Sequence, residues 1–103
     1  MTVPRLSEEQ RARARTAAVA ARTRRAEAKE RLRRGDWSFA TLVEQARGDD
    51  VLAHIKVVDA LRCLPRFGPK RAAELMERLD IAPTRRLRGL GHLQRESLLE
   101  ELR

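Results

Sequence analysis

Large apolar residues are spread unevenly along the chain, and their spacing divides it into two parts. Between residues 8 and 34 only Val19 and Leu32 are large and apolar, too few to form the stripe by which a helix joins a core. No Gly or Pro interrupts that stretch, and alanine is abundant. Ser7-Glu8-Glu9-Gln10 has the form of a capping box, and Gly35 stands where a C-terminal cap belongs. The pattern predicts one long helix from about residue 8 to Arg34, lying outside the core, with Glu27/Arg31 and Glu30/Arg34 as i, i+4 pairs.

After Gly35 the apolar residues return at helical spacing. Phe39, Leu42, Val43 and Ala46 follow a cap at Asp36-Trp37-Ser38, with Gly48 as a stop and Trp37 as a core anchor. Asp49 or Asp50 opens a second set, Val51, Leu52, Ile55, Val58, Leu61 and Leu64, which the β-branched pair Val57-Val58 divides into two short helices. Ala72, Leu75, Met76 and Leu79 fall at i, i+3, i+4 and i+7 and predict a one-sided helix ending near Asp80. A last helix starts near His92 with Leu93, Leu98 and Leu102 inward. Strand-like alternation is absent. The expected architecture is all-α: a basic N-terminal helix over residues 1–35, and a small helical module over 36–103.

Charge sharpens the division. The chain of 103 residues has a formal net charge of +8. Residues 1–35 hold 11 basic and 4 acidic side chains, net +7, whereas 36–103 hold 12 and 11, net +1. Arg11, Arg15, Arg22, Arg25, Lys29 and Arg33 fall within an arc of roughly 80° when each residue turns ~100°. Such alignment suits an electrostatic arm for a polyanion, with nucleic acid ahead of a membrane surface. The single Cys63 cannot form an internal disulfide and reads as a small buried hydrophobe in a reducing compartment. No apolar run reaches spanning length, and Met1-Thr2-Val3-Pro4-Arg5 lacks a signal-peptide apolar region, so a cytoplasmic protein is expected.

Two segments carry candidate chemistry. Leu64-Pro65-Arg66-Phe67-Gly68-Pro69-Lys70-Arg71-Ala72 reads as a tight hairpin entering a helix, with Gly68 supplying the turn's backbone freedom and no acidic residue nearby. Unpaired N–H groups at a helix start, ringed by cations, suit a backbone phosphate. Arg85, Arg86 and Arg88, followed by Gly89 and Gly91, form a second cluster on a flexible turn, suited to phosphates or a minor groove. His54, His92 and Cys63 have no metal-ligand spacing, and no phosphate-binding loop or nucleophile elbow occurs, so neither an enzyme nor a cofactor is expected.

The hairpin, the run Met76-Glu77-Arg78-Leu79 and the run Arg85-Arg86-Leu87-Arg88-Gly89-Leu90-Gly91 resemble the actinobacterial integration host factor family of small nucleoid-associated proteins. The resemblance covers most of the chain. It implies a long N-terminal helix packed on a helix-two-turns-helix module, similar to that in ribosomal protein S13 and certain DNA repair glycosylases. The catalytic N-terminal proline of such glycosylases is replaced by Thr2. By resemblance, the DNA-contacting positions are Pro65, Arg66, Phe67, Gly68, Lys70 and Arg71 of the hairpin, with Arg85, Arg86, Arg88 and Gly89 downstream. The six aligned cations of the N-terminal helix would clamp the backbone. Two departures stand out: Arg66 where the family usually has glycine, and Pro69 where it usually has lysine. The implied function is binding and bending of double-stranded DNA by a monomer in the nucleoid, with no membrane and no small-molecule substrate. An S13-like binder of structured RNA and an adaptor for an acidic protein remain as alternatives.

Overall fold

The computed structural model describes residues 7–103. Met1–Leu6, on which the expected lack of a signal-peptide region and the Thr2 comparison rest, lie outside the described residues. Six α-helices and one short 3-10 turn follow in order: α1 (Glu8–Arg34), α2 (Phe39–Arg47), α3 (Asp50–Ala53), α4 (Val57–Cys63), α5 (Pro69–Arg78), the 3-10 turn (Leu87–Gly89) and α6 (His92–Glu101). Among the described residues no strand forms and no helix is long and apolar enough to cross a membrane.

The ends of α1 are closed by the groups the sequence supplies. Ser7 Oγ accepts from the Gln10 amide at 3.1 Å, and Gln10 Oε1 accepts from the Ser7 amide at 2.8 Å, completing a capping box. Gly35 sits in the left-handed region at φ 78°. Its N–H donates to the Leu32 carbonyl and that of Asp36 to the Arg31 carbonyl, which is a Schellman closure. Glu30 pairs with Arg34 at 3.1 Å as expected. The expected Glu27/Arg31 pair is replaced: the Arg31 guanidinium lies over the Trp37 ring, 5.4 Å from its centroid, and Trp37 packs half-buried against the core.

One expectation for α1 is corrected. Its last turns do join the core, because Ala28 and Leu32 are buried and pack toward α3 and α4. Alanine lets the helix approach closely, and a single leucine fills the space. A polar latch reinforces the dock. Arg24 Nε donates to Asp49 Oδ2 at 3.0 Å, while Asp49 Oδ1 accepts from the amides of Val51 and Leu52 and so caps α3. The Arg24 hydrogen bond, helped by those two amides, holds the Asp49 carboxyl below the usual carboxylate range against the opposing effect of burial. Residues 7–20, by contrast, are all exposed, Val19 included.

The core is aliphatic, with Leu32, Leu42, Leu52, Leu61, Leu98 and Val57 as its most enclosed large side chains. The break in the middle segment falls at residues 54–56, earlier than Val57-Val58, and Val57 opens α4 instead of dividing it. The reason is a link invisible to periodicity: the Val57 amide donates to the Arg85 carbonyl and the Leu87 amide to the Ile55 carbonyl, both at 2.9 Å. These bonds form an antiparallel bridge between Lys56 and Arg86, and no helix can pass through it. In α6, Leu98 is buried and Leu102 half-buried, but Leu93 points to solvent. Arg78 closes the bundle by a two-pronged ion pair with Glu101, at 2.7 and 3.1 Å, tying α5 to α6.

Candidate nucleic-acid interface

The hairpin between α4 and α5 is shaped by its two prolines. A residue preceding proline is driven to extended backbone, and so Leu64 (ψ 140°) and Gly68 (ψ 174°) both are. With Pro65 fixed as well, the reversal falls on Arg66, which takes the left-handed conformation at φ 64°. Gly68 therefore does not supply the freedom expected of it; its φ is −78°. A Cβ there would meet nothing within 4 Å, so the bare backbone faces open space. Pro69 stands at the first position of α5, and no side chain caps that helix. Among the described residues the amides of Gly68, Lys70 and Arg71 have no partner and point out of the helix start.

Phe67 is placed differently from expectation. Its ring is buried and its amide donates to the Leu64 carbonyl at 3.1 Å, so it offers neither to a ligand. Arg71 stacks its guanidinium on that ring, 4.8 Å from the centroid, which holds the charge beside the helix start. Pro65, Arg66, Gly68 and Lys70 are exposed.

The arginine triplet does not form one cluster. Arg85 donates to the Gly89 carbonyl at 2.9 Å and borders an apolar hollow with Met76, Ile81 and Pro83. Arg88 borders a groove with Arg47 and Arg95 against α2 and α3. Arg86 donates to the His54 carbonyl and enters a third recess. The divergence follows from the bridge, the buried Leu87 and the 3-10 turn, which rotate successive side chains apart and leave no flexible Gly-x-Gly segment. Gly89 is part of that turn. The Gly91 amide donates to Gln94 Oε1 at 3.0 Å, fixing the start of α6.

Arg86 meets the N-terminal helix. Its recess is lined by Arg25 and Lys29 of α1, by His54 and Lys56 between α3 and α4, and by one acid, Asp59. Lys29 also faces an adjoining recess with Arg33, Arg62 and Asp59. A continuous basic strip thus runs along α4, from Lys56 and Arg86 at one end to Arg62 and the hairpin at the other, ~10 Å away by helix rise. The strip joins three of the six aligned cations, Arg25, Lys29 and Arg33, to the module. Arg22, Arg15 and Arg11 continue outward on exposed helix, with Arg11 paired to Glu8 and Arg33 to Glu30. Lys56 and His54 are not among the expected site residues, and Arg62 is expected only as a cation flanking the hairpin. Lys56 stands at the N-cap position of α4 and Arg62 lies in its last turn, but only the docking of α4 on α1 makes them neighbours of Lys29.

Exposed helix-start amides, a bare glycine beside them and a strip of cations define an all-α module built to face a regular polyanion. Residues 32–102 match the S13-like H2TH domain. The chain is 50% identical over 101 residues to the integration host factor of Mycobacterium tuberculosis, covering 98% of this chain and 96% of that protein. It is 45% identical to the integration host factor of Streptomyces coelicolor, covering 98% and 94%. The solved structure of sIHF bound to an 8-bp palindromic DNA superposes with a TM-score of 0.82 at 42% identity, covering 85% of this chain and 99% of that one. This chain belongs to the integration host factor family of the S13-like H2TH fold.

Proposed function

We propose that this protein is a nucleoid-associated, monomeric binder of double-stranded DNA that grips the phosphate backbone on both sides of a minor groove with little sequence preference. The observation that carries it is the basic strip along α4, where Arg25 and Lys29 of α1 share a recess with the bridged pair Lys56 and Arg86. The hairpin amides and Lys70 hold one strand; Arg86 and Lys56 hold the other, with Arg85, Arg88 and Gly89 at the rim. The basic face of α1 lies along the backbone as a clamp. Contacts to phosphates position without reading bases, which accounts for weak sequence preference. Two contact regions separated along α4 favour a modest bend, whose cost the added contacts offset. Its place in the cell is with the chromosome, in the cytoplasm, and its work is binding, not catalysis.

A salt-resolved titration on duplex DNA tests this. Neutralising roughly 6 to 8 phosphates gives a slope of log K against log salt of about −5 to −7, and a slope near −1 would overturn the reading. Competition by duplex RNA of equal length separates the S13-like alternative: stronger binding of RNA reverses the assignment. Unchanged DNA affinity in the double variant Lys56→Ala with Arg86→Ala would favour the protein adaptor.

A further inference from the structure

The basic recess contains an imidazole to which the DNA-binding reading gives no role. His54 closes α3 with φ −85° and ψ −6°. Its Nδ1 lies 2.6 Å from the Asp50 carbonyl oxygen, and a carbonyl can only accept, so Nδ1 carries the hydrogen. In the neutral ring the remaining nitrogen, Nε2, is then the acceptor and the site at which a proton adds. The backbone carbonyl of the same residue accepts from Arg86 Nη1. The ring is therefore tied to the Asp50 carbonyl and the guanidinium to the His54 carbonyl, and both residues line the recess.

Charged groups line the same recess from every neighbouring element: Arg25 and Lys29 from α1, Lys56 from the link before α4, Asp59 from α4, and Arg86 from the segment before the 3-10 turn. The carboxylate of Asp50, in α3 itself, is exposed. Four cations and one carboxylate thus share the recess with the imidazole. A phosphate entering the recess attracts an imidazolium and screens the cations from it, which favours adding a proton at Nε2.

Resting on the assignment of this recess to DNA, we propose that His54 is a phosphate-contacting residue whose Nε2 takes up a proton as the backbone enters, coupling DNA affinity to pH. The proton comes from solvent, and Nε2–H becomes a fifth donor to the phosphate. By linkage, affinity rises as pH falls through the range, about 5 to 8, in which imidazoles change charge.

The test compares the intact chain with His54→Gln and His92→Gln on one duplex at fixed salt, between about pH 5.5 and 7.5. The intact chain and His92→Gln should bind several-fold tighter at the acid end, with a salt slope steeper there by about 0.9, the share of one added cation. His54→Gln should lose that increment. Equal pH dependence in the intact chain and His54→Gln overturns the proposal. A second measurement needs no variant: nitrogen-15 spectra of the free, neutral ring should show Nδ1–H, and an Nε2–H tautomer also overturns it. Salt-independent binding by all three proteins at every pH would instead sink the DNA assignment itself, and the proposal with it.

Discussion

Arg66 holds a backbone conformation that an L residue adopts at a cost of roughly 1–2 kcal/mol. It is forced there because Leu64 and Gly68 each precede a proline and cannot make the reversal. Arg66→Gly should therefore raise stability by up to about 1 kcal/mol, measured by denaturant melting, since glycine takes this region without steric penalty. The same change removes an exposed cation from the hairpin and should flatten the salt slope by about 0.9. A destabilised Arg66→Gly would show that the turn is held by something other than its prolines. The sequence pointed to Gly68 as the flexible residue because glycine marks left-handed turns. Two prolines in register with it override that preference, and their effect is visible only when both are applied to the same five residues. Phe67 misled for the opposite reason: its place in the motif is functional in appearance, but its ring is the plug that fastens the hairpin to the core.

At the level of elements, α1 is one helix with two fates. Its start, its stop and its basic face were legible because capping residues and charge periodicity are local. Its docking was not, since two buried residues, Ala28 and Leu32, leave no periodic trace, and the Arg24–Asp49 ion pair spans 25 positions. The splitting of Arg85, Arg86 and Arg88 onto three surfaces was hidden likewise, because it depends on a two-bond bridge to residues thirty positions earlier. A truncation at Gly35 would remove the arm together with two core residues, Ala28 and Leu32. A chain beginning at Ala21 keeps Arg24, Ala28 and Leu32, and should melt close to the intact protein. Leu32→Ala, which deletes only a fully buried side chain, should cost about 2–5 kcal/mol. If the shortened chain melted as low as Leu32→Ala, the exposed half of α1 would have to be packed against something in the intact fold.

Over the whole molecule, the described residues extend 52 × 32 × 25 Å, and the 27-residue α1 alone accounts for ~40 Å of helix. Duplex DNA rises 3.4 Å per base pair, so a clamp lying along the backbone needs about 15 base pairs to engage the full length. An 8-base-pair duplex, at roughly 27 Å, reaches the strip along α4 and leaves the outer helix without phosphates. Binding strength alone would confuse this with the larger number of registers on a longer duplex, but the salt slope counts phosphates neutralised per complex. The intact chain should show a slope steeper by about 1 to 2 on 16 base pairs than on 8, reflecting Arg15 with a share from Arg11, whose partner Glu8 competes for it. The chain beginning at Ala21 lacks 4 basic and 2 acidic residues of the first 20 and should give the smaller increment on the longer duplex. Equal increments for the two chains would mean that the outer half of α1 stands away from the duplex, leaving the strip from Arg86 to the hairpin as the entire interface.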